Sequence, residues 1–134
     1  MAARGHLRLA LIAALVWLAF FAAGLPDYYQ QYSTGALVAF EVVLLGPVGA
    51  AGYFALRRRS RRSRMRHALA LSFHFTVPLF LYDLLYCGLY LGHGASFVVR
   101  YWYLTAYYLV PWLLFPLTAR WLDAREAPGR DVRR

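Results

Sequence analysis

The chain has 134 residues, of which 61% are hydrophobic and only 16% charged, with a mean hydropathy of +0.44. A soluble domain carries about 25% charged residues, so composition argues against a water-soluble body. The net charge of +9 would suit a nucleic-acid binder, but its distribution does not: all fifteen basic residues are arginines, and seven of them crowd into residues 57–66, between two long apolar segments.

A helix needs about 20 apolar residues to cross a bilayer core. Four stretches meet that need, at residues 7–25, 35–56, 67–91 and 97–118. The loops between them are short, so sequence neighbours are expected to run antiparallel. The predicted fold is all-α: a bundle of four transmembrane helices over residues 1–122, followed by a polar, disordered tail at 123–134. Orientation follows from the arginines. Fourteen fall on one side of the four spans, and only Arg100 falls on the other. The arginine-rich side is the cytoplasmic one, which places both termini in the cytoplasm. A bacterial cytoplasmic membrane is the expected location, with the endoplasmic reticulum as the alternative. Residues 1–24 also fit a cleaved signal peptide, with a basic start, an apolar run and Ala22-Ala23-Gly24.

Ionisable residues inside a span cost about 2.5–3.5 kcal/mol each on insertion scales and normally face the protein interior. The second span carries Glu41, the third His74 and Asp83, and the fourth Arg100. Glu41 and Asp83 each lie four residues outward of their span's centre, ~6 Å at 1.5 Å per residue. Two carboxylates on antiparallel helices thus share one level in the outer half. Close together in a low dielectric, they would not both stay ionised. Such a pair can hold a proton or bind a cation, and Asp27 at the outer end of the first span overhangs the same level. The alternative is structural: Glu41, Asp83 and Arg100 as an interhelical clamp.

Aromatic residues surround this level. Tyr82, Tyr86 and Tyr90 recur every four residues on the third span, and Tyr107 and Trp112 lie near the middle of the fourth. Aromatic faces can hold flat apolar ligands, or cations by cation–π attraction. Pro47, Pro78, Pro111 and Pro116 interrupt three of the four spans, and such kinks can open a cavity. Gly46, Gly49 and Gly52 offer a small-residue face for close helix contact. His74 has no histidine on the second or fourth span to complete a bis-histidine haem site. The lone Cys87 reads as a small core residue, and no metal or cofactor is predicted.

Three short motifs fall in order on the predicted spans. They are Phe40-Glu41-Val42-Val43-Leu44-Leu45-Gly46-Pro47, Tyr82-Asp83-Leu84-Leu85-Tyr86 and Tyr107-Tyr108-Leu109-Val110-Pro111. On these, the chain resembles the EXPERA superfamily, which includes the emopamil-binding sterol isomerases and the sigma-2 receptor. The resemblance covers about 100 residues. It implies four spans with cytoplasmic ends and a pocket in which Glu41 is the buried acid and Tyr107 a lining aromatic. Asp27 sits where the sigma-2 type has an Asp that pairs with cationic ligands. The isomerases carry a His and a Glu within the first span, and this first span has neither.

The expected function is binding of a sterol-like lipid or cationic amphiphile in a pocket formed by Asp27, Glu41, Asp83, Tyr82, Tyr107 and Trp112. One alternative is a sterol or isoprenoid double-bond isomerase, with Glu41 as the acid and Asp83 as its partner. The other is an accessory membrane subunit without a ligand. Monomer and homodimer both remain open.

Overall fold

A computed structural model describes residues 3–23 and 26–126, without the side chains of residues 3, 4, 23, 26 and 27. The described chain is helical and contains no strand. Its long helices are α1 (Ala3–Ala23), α3 (Thr34–Arg57), α4 (Arg61–Asp83) and α6 (Trp102–Arg125). Two short helices complete it, α2 (Pro26–Tyr29) and α5 (Phe97–Arg100). Three helices are long and apolar enough to cross a membrane: α1, α3, and α4 with its continuation to Tyr90. The fourth, α6, is also 24 residues long. Its tyrosines, tryptophans and prolines are less hydropathic than the aliphatic residues of α3.

Helix ends follow local chemistry. Ser33 caps α3: its extended backbone lets Oγ accept from the Ala36 N–H at 3.3 Å. α4 does not stop at Asp83 but widens into a π-helical stretch, Leu84–Tyr90, that buries Cys87 and Gly88. Gly92 (φ 74°) and Gly94 (φ 55°) then turn the chain, using a backbone region that a Cβ disfavours. The fourth predicted helix is split. Tyr101, fully buried at φ −108° and ψ 55°, leaves helical geometry and separates α5 from α6.

Side-chain contacts give the directions. His6 meets His74, Trp17 meets Asp83, and Phe21 meets Tyr86, so α1 and α4 run parallel. Arg64 meets Asp123, Thr76 meets Trp112, and Asp83 meets Tyr108, so α4 and α6 run antiparallel. α4–α6 is the largest helix interface, followed by α3–α6 and α1–α4. α1 and α3, adjacent in sequence, barely touch.

On α3, a Cβ built on Gly52 would stand 2.5 Å from the Phe115 ring, and one on Gly49 would stand 3.8 Å from Leu114. Gly46 has nothing within 4 Å. The small-residue face is therefore used at two of its three glycines.

The apolar core has two parts. Leu56, Ala68, Leu71, Phe115, Ala119 and Leu122 fill the arginine-rich half, and Leu37, Cys87, Phe97, Tyr101 and Tyr103 fill the other. Arg64 locks the first half. Only 1% exposed, it donates to Asp123 and Glu126 of the α6 end and to the carbonyls of Leu56 and Arg59. This moves a predicted boundary. Residues 123–125, expected to belong to the tail, are part of α6, and Asp123 is ion-paired. Residues 127–134 lie outside the described residues.

Candidate functional site: a cavity with two carboxyls

Where α1 and α3 diverge, a cavity of about 110 Å³ opens between them. From α1 come Trp17, Phe20 and Phe21, and from α3 come Leu37, Phe40, Glu41 and Leu44. α4 adds Leu79 and Asp83, and α6 adds Tyr103, Leu104, Tyr107 and Tyr108. Tyr29 of α2 covers the end. The wall is aromatic and aliphatic apart from two carboxyls and the tyrosine hydroxyls. Among the described residues, no arginine or histidine lines it.

Asp83 is fixed by donors from both flanking helices. Its Oδ1 accepts from Trp17 Nε1 at 2.8 Å, and its Oδ2 from the Tyr108 hydroxyl at 2.7 Å. It is 6% exposed. Both donors are neutral, so they satisfy oxygen lone pairs without cancelling a charge. Each oxygen keeps further acceptor capacity.

Glu41 is held differently. The Tyr107 hydroxyl donates to its backbone carbonyl at 2.9 Å. Its side-chain carboxyl makes no hydrogen bond among the described residues and is half-buried at the cavity wall. Tyr107 thus fixes the backbone of α3 at Glu41 and leaves the carboxyl unengaged.

Not every predicted site residue belongs here. Glu41, Asp83 and Tyr107 share the cavity. Tyr82 stands behind the wall, its ring 5.3 Å from that of Trp17. Trp112 faces elsewhere and donates to Thr76 Oγ1 at 2.9 Å, tying α6 to α4. The side chain of Asp27 lies outside the described residues. Arg100 is exposed at the end of α5 and forms no ion pair with Glu41 or Asp83, so the three-residue clamp is not present.

Sequence reasoning missed Trp17 and Tyr108 as the partners of Asp83. A signal for Trp17 existed: the first span has no ionisable residue at that depth, and Trp17 is its only indole N–H. His74 also has a partner unseen from sequence. Its Nδ1 donates to the Ala70 carbonyl at 2.7 Å, which leaves Nε2 to accept from His6 Nδ1 at 3.4 Å. Among the described residues, no cluster of three or more His, Cys, Asp or Glu is placed to hold a metal.

Comparison of the chain with protein-family models, with curated proteins and with solved structures gives no match.

Proposed function

We propose that this chain is a four-span membrane protein that binds a cationic amphiphile, or a sterol-like lipid with a polar head, at Glu41 and Asp83. One observation carries the reading: two carboxyls line the same apolar cavity, and among the described residues no basic side chain lines it with them. Carboxyls within apolar spans are costly and normally serve a purpose there. A ligand ammonium supplies the missing charge, and the rings of Tyr107 and Phe40 suit cation–π contact.

Size refines the reading. An engineered cavity of about 150 Å³ in another protein holds benzene. The smaller, partly open space here suits a compact head such as an ammonium group. The remainder of the ligand extends through the gap between α1 and α3. Hydrogen-bonding of Trp17 to Asp83 supports retention of α1 as a span rather than its removal as a signal peptide.

Isomerisation is the second reading of the same arrangement. A double-bond shift needs one group to give a proton and another to remove one. Glu41 and Asp83 would fill those two roles, and α1, which offers the cavity Trp17, Phe20 and Phe21, adds no further acid or base.

A radiolabelled lipophilic amine is expected to bind the purified protein. Affinity should fall about tenfold, or 1.4 kcal/mol, on Glu41→Gln and again on Asp83→Asn. Undiminished binding in both variants would refute the carboxyl site. Cysteine-accessibility labelling tests the topology, with Ser33→Cys and Ser60→Cys placed in turn in a Cys87→Ser background. Position 33 should label from outside and position 60 from the cytoplasm. The reverse pattern would invert the orientation.

A further inference from the structure

A second cavity, of about 310 Å³, lies between α1, α3 and α4 at the arginine-rich end. Its wall takes Arg8 and Ile12 from α1, Ala55 from α3, Arg59 from the following turn, and His67 and Leu71 from α4. We propose that this cavity binds a phosphate or phosphodiester anion, gripped by Arg8 and Arg59.

The charge balance points there first. The chain has six acidic residues. Asp123 and Glu126 are held by Arg64, and Glu41 and Asp83 lie in the other cavity. Among the described residues no carboxylate remains to pair with Arg8 or Arg59. Two exposed arginines from separate elements thus border one partly apolar space, and no carboxylate among the described residues lines it with them. An anion between them removes their mutual repulsion and gains two charge-assisted hydrogen-bond sets.

The donor chemistry of the wall suits an oxyanion. A guanidinium presents paired N–H donors that match two phosphate oxygens, and it is more weakly hydrated than an ammonium. Arg59 is anchored through its backbone, because its carbonyl accepts from Arg64 Nη2 at 2.9 Å. His67 is fixed on the wall by donation from Nδ1 to the Ser63 carbonyl at 2.8 Å. Arg8 lies in the second turn of α1 rather than ahead of the helix. Its aliphatic stem can lie against the apolar wall while the charged head reaches the polar end. The volume is at the lower edge of the range of about 300–1,000 Å³ for small-molecule sites. Basic pockets between membrane helices on the cytoplasmic side commonly take anionic lipid headgroups. A lipid headgroup and free phosphate share the required chemistry.

The test uses the full chain in detergent micelles doped with either phosphatidylglycerol or phosphatidylcholine, with retained lipid read by native mass spectrometry. A separate arm titrates inorganic phosphate into lipid-free micelles. Variants are Arg8→Gln and Arg59→Gln. The control is the pair Arg61→Gln and Arg62→Gln, which are exposed like Arg8 and Arg59 but do not line the cavity. Phosphatidylglycerol should be retained over phosphatidylcholine, about tenfold less so in each cavity variant, and unchanged in the control. Phosphate binding that depends on Arg8 and Arg59, without lipid preference, would identify free phosphate as the ligand and uphold the site. Absence of binding in both arms, or equal losses in the control, would overturn it. Should Arg8→Gln fail to fold, Arg59→Gln and the wild-type lipid preference decide the matter.

Discussion

The two halves of this bundle treat buried charge in opposite ways. At one end Arg64 is 1% exposed, with Asp123, Glu126 and two backbone carbonyls around it. At the other, Glu41 and Asp83 line a cavity, and their hydrogen-bond partners are all neutral or absent. A buried ion is tolerated when its partners satisfy it, and removing a partner then costs several kcal/mol. The Arg64 cluster has that character and joins α3, α4 and α6. The carboxyl cavity does not, because nothing within it balances a charge. The contrast separates a lock from a receptacle within one small protein.

The largest expected effect is at the lock. Arg64→Met strands Asp123 and releases the α6 end, and should lower stability by about 3 kcal/mol. Reversible unfolding in mixed micelles measures it. A loss below about 1 kcal/mol would mean that the cluster behaves like an ordinary exposed ion pair.

Packing gives the next contrast. Gly52→Ala pushes a methyl group into the buried Phe115 ring and should cost about 2 kcal/mol. Gly46→Ala meets empty space and should be neutral, or stabilising by up to about 1 kcal/mol through helix propensity. Equal effects at the two positions would show that α3 packs uniformly along its length.

Trp17→Phe keeps a ring in the cavity wall but removes the N–H that Asp83 Oδ1 accepts. It should cost about 1 kcal/mol of stability, the usual worth of such a bond. No change would indicate that water or another donor replaces the indole.

The smallest stability effect is expected at Glu41→Gln, below about 0.5 kcal/mol, because its carboxyl has no partner to lose. The same variant should still lose amine affinity. A large drop in melting temperature with affinity intact would turn Glu41 into a second lock and erase the contrast between the halves.

Much of this arrangement was legible in the sequence. Apolar length set out the long helices, and counting outward from span centres brought Glu41 and Asp83 to one level. The depth argument worked because helical rise is constant along both spans. It failed for Trp112, whose direction around α6 depends on packing rather than on depth. Arg64 was invisible among seven arginines in residues 57–66, since nothing local marks which one turns inward. Its partners Asp123 and Glu126 looked like the start of a polar tail because their role is set by a helix some 60 positions earlier. The break at Tyr101 was also hidden, because it arises from burial of that side chain and not from a glycine or proline.

The gap between α1 and α3 has a consequence for measurement. If the proposed amine binds there, it equilibrates with the lipid around α1 and α3 as well as with water. Its driving concentration is then its mole fraction in the bilayer, which rises with its partition coefficient and falls as lipid is added. Two amines of equal contact energy but different lipophilicity will show different dissociation constants when referred to the aqueous phase. They will converge when referred to the lipid phase. Diluting the protein with more lipid at fixed total ligand will weaken apparent binding, although no residue of the site has changed.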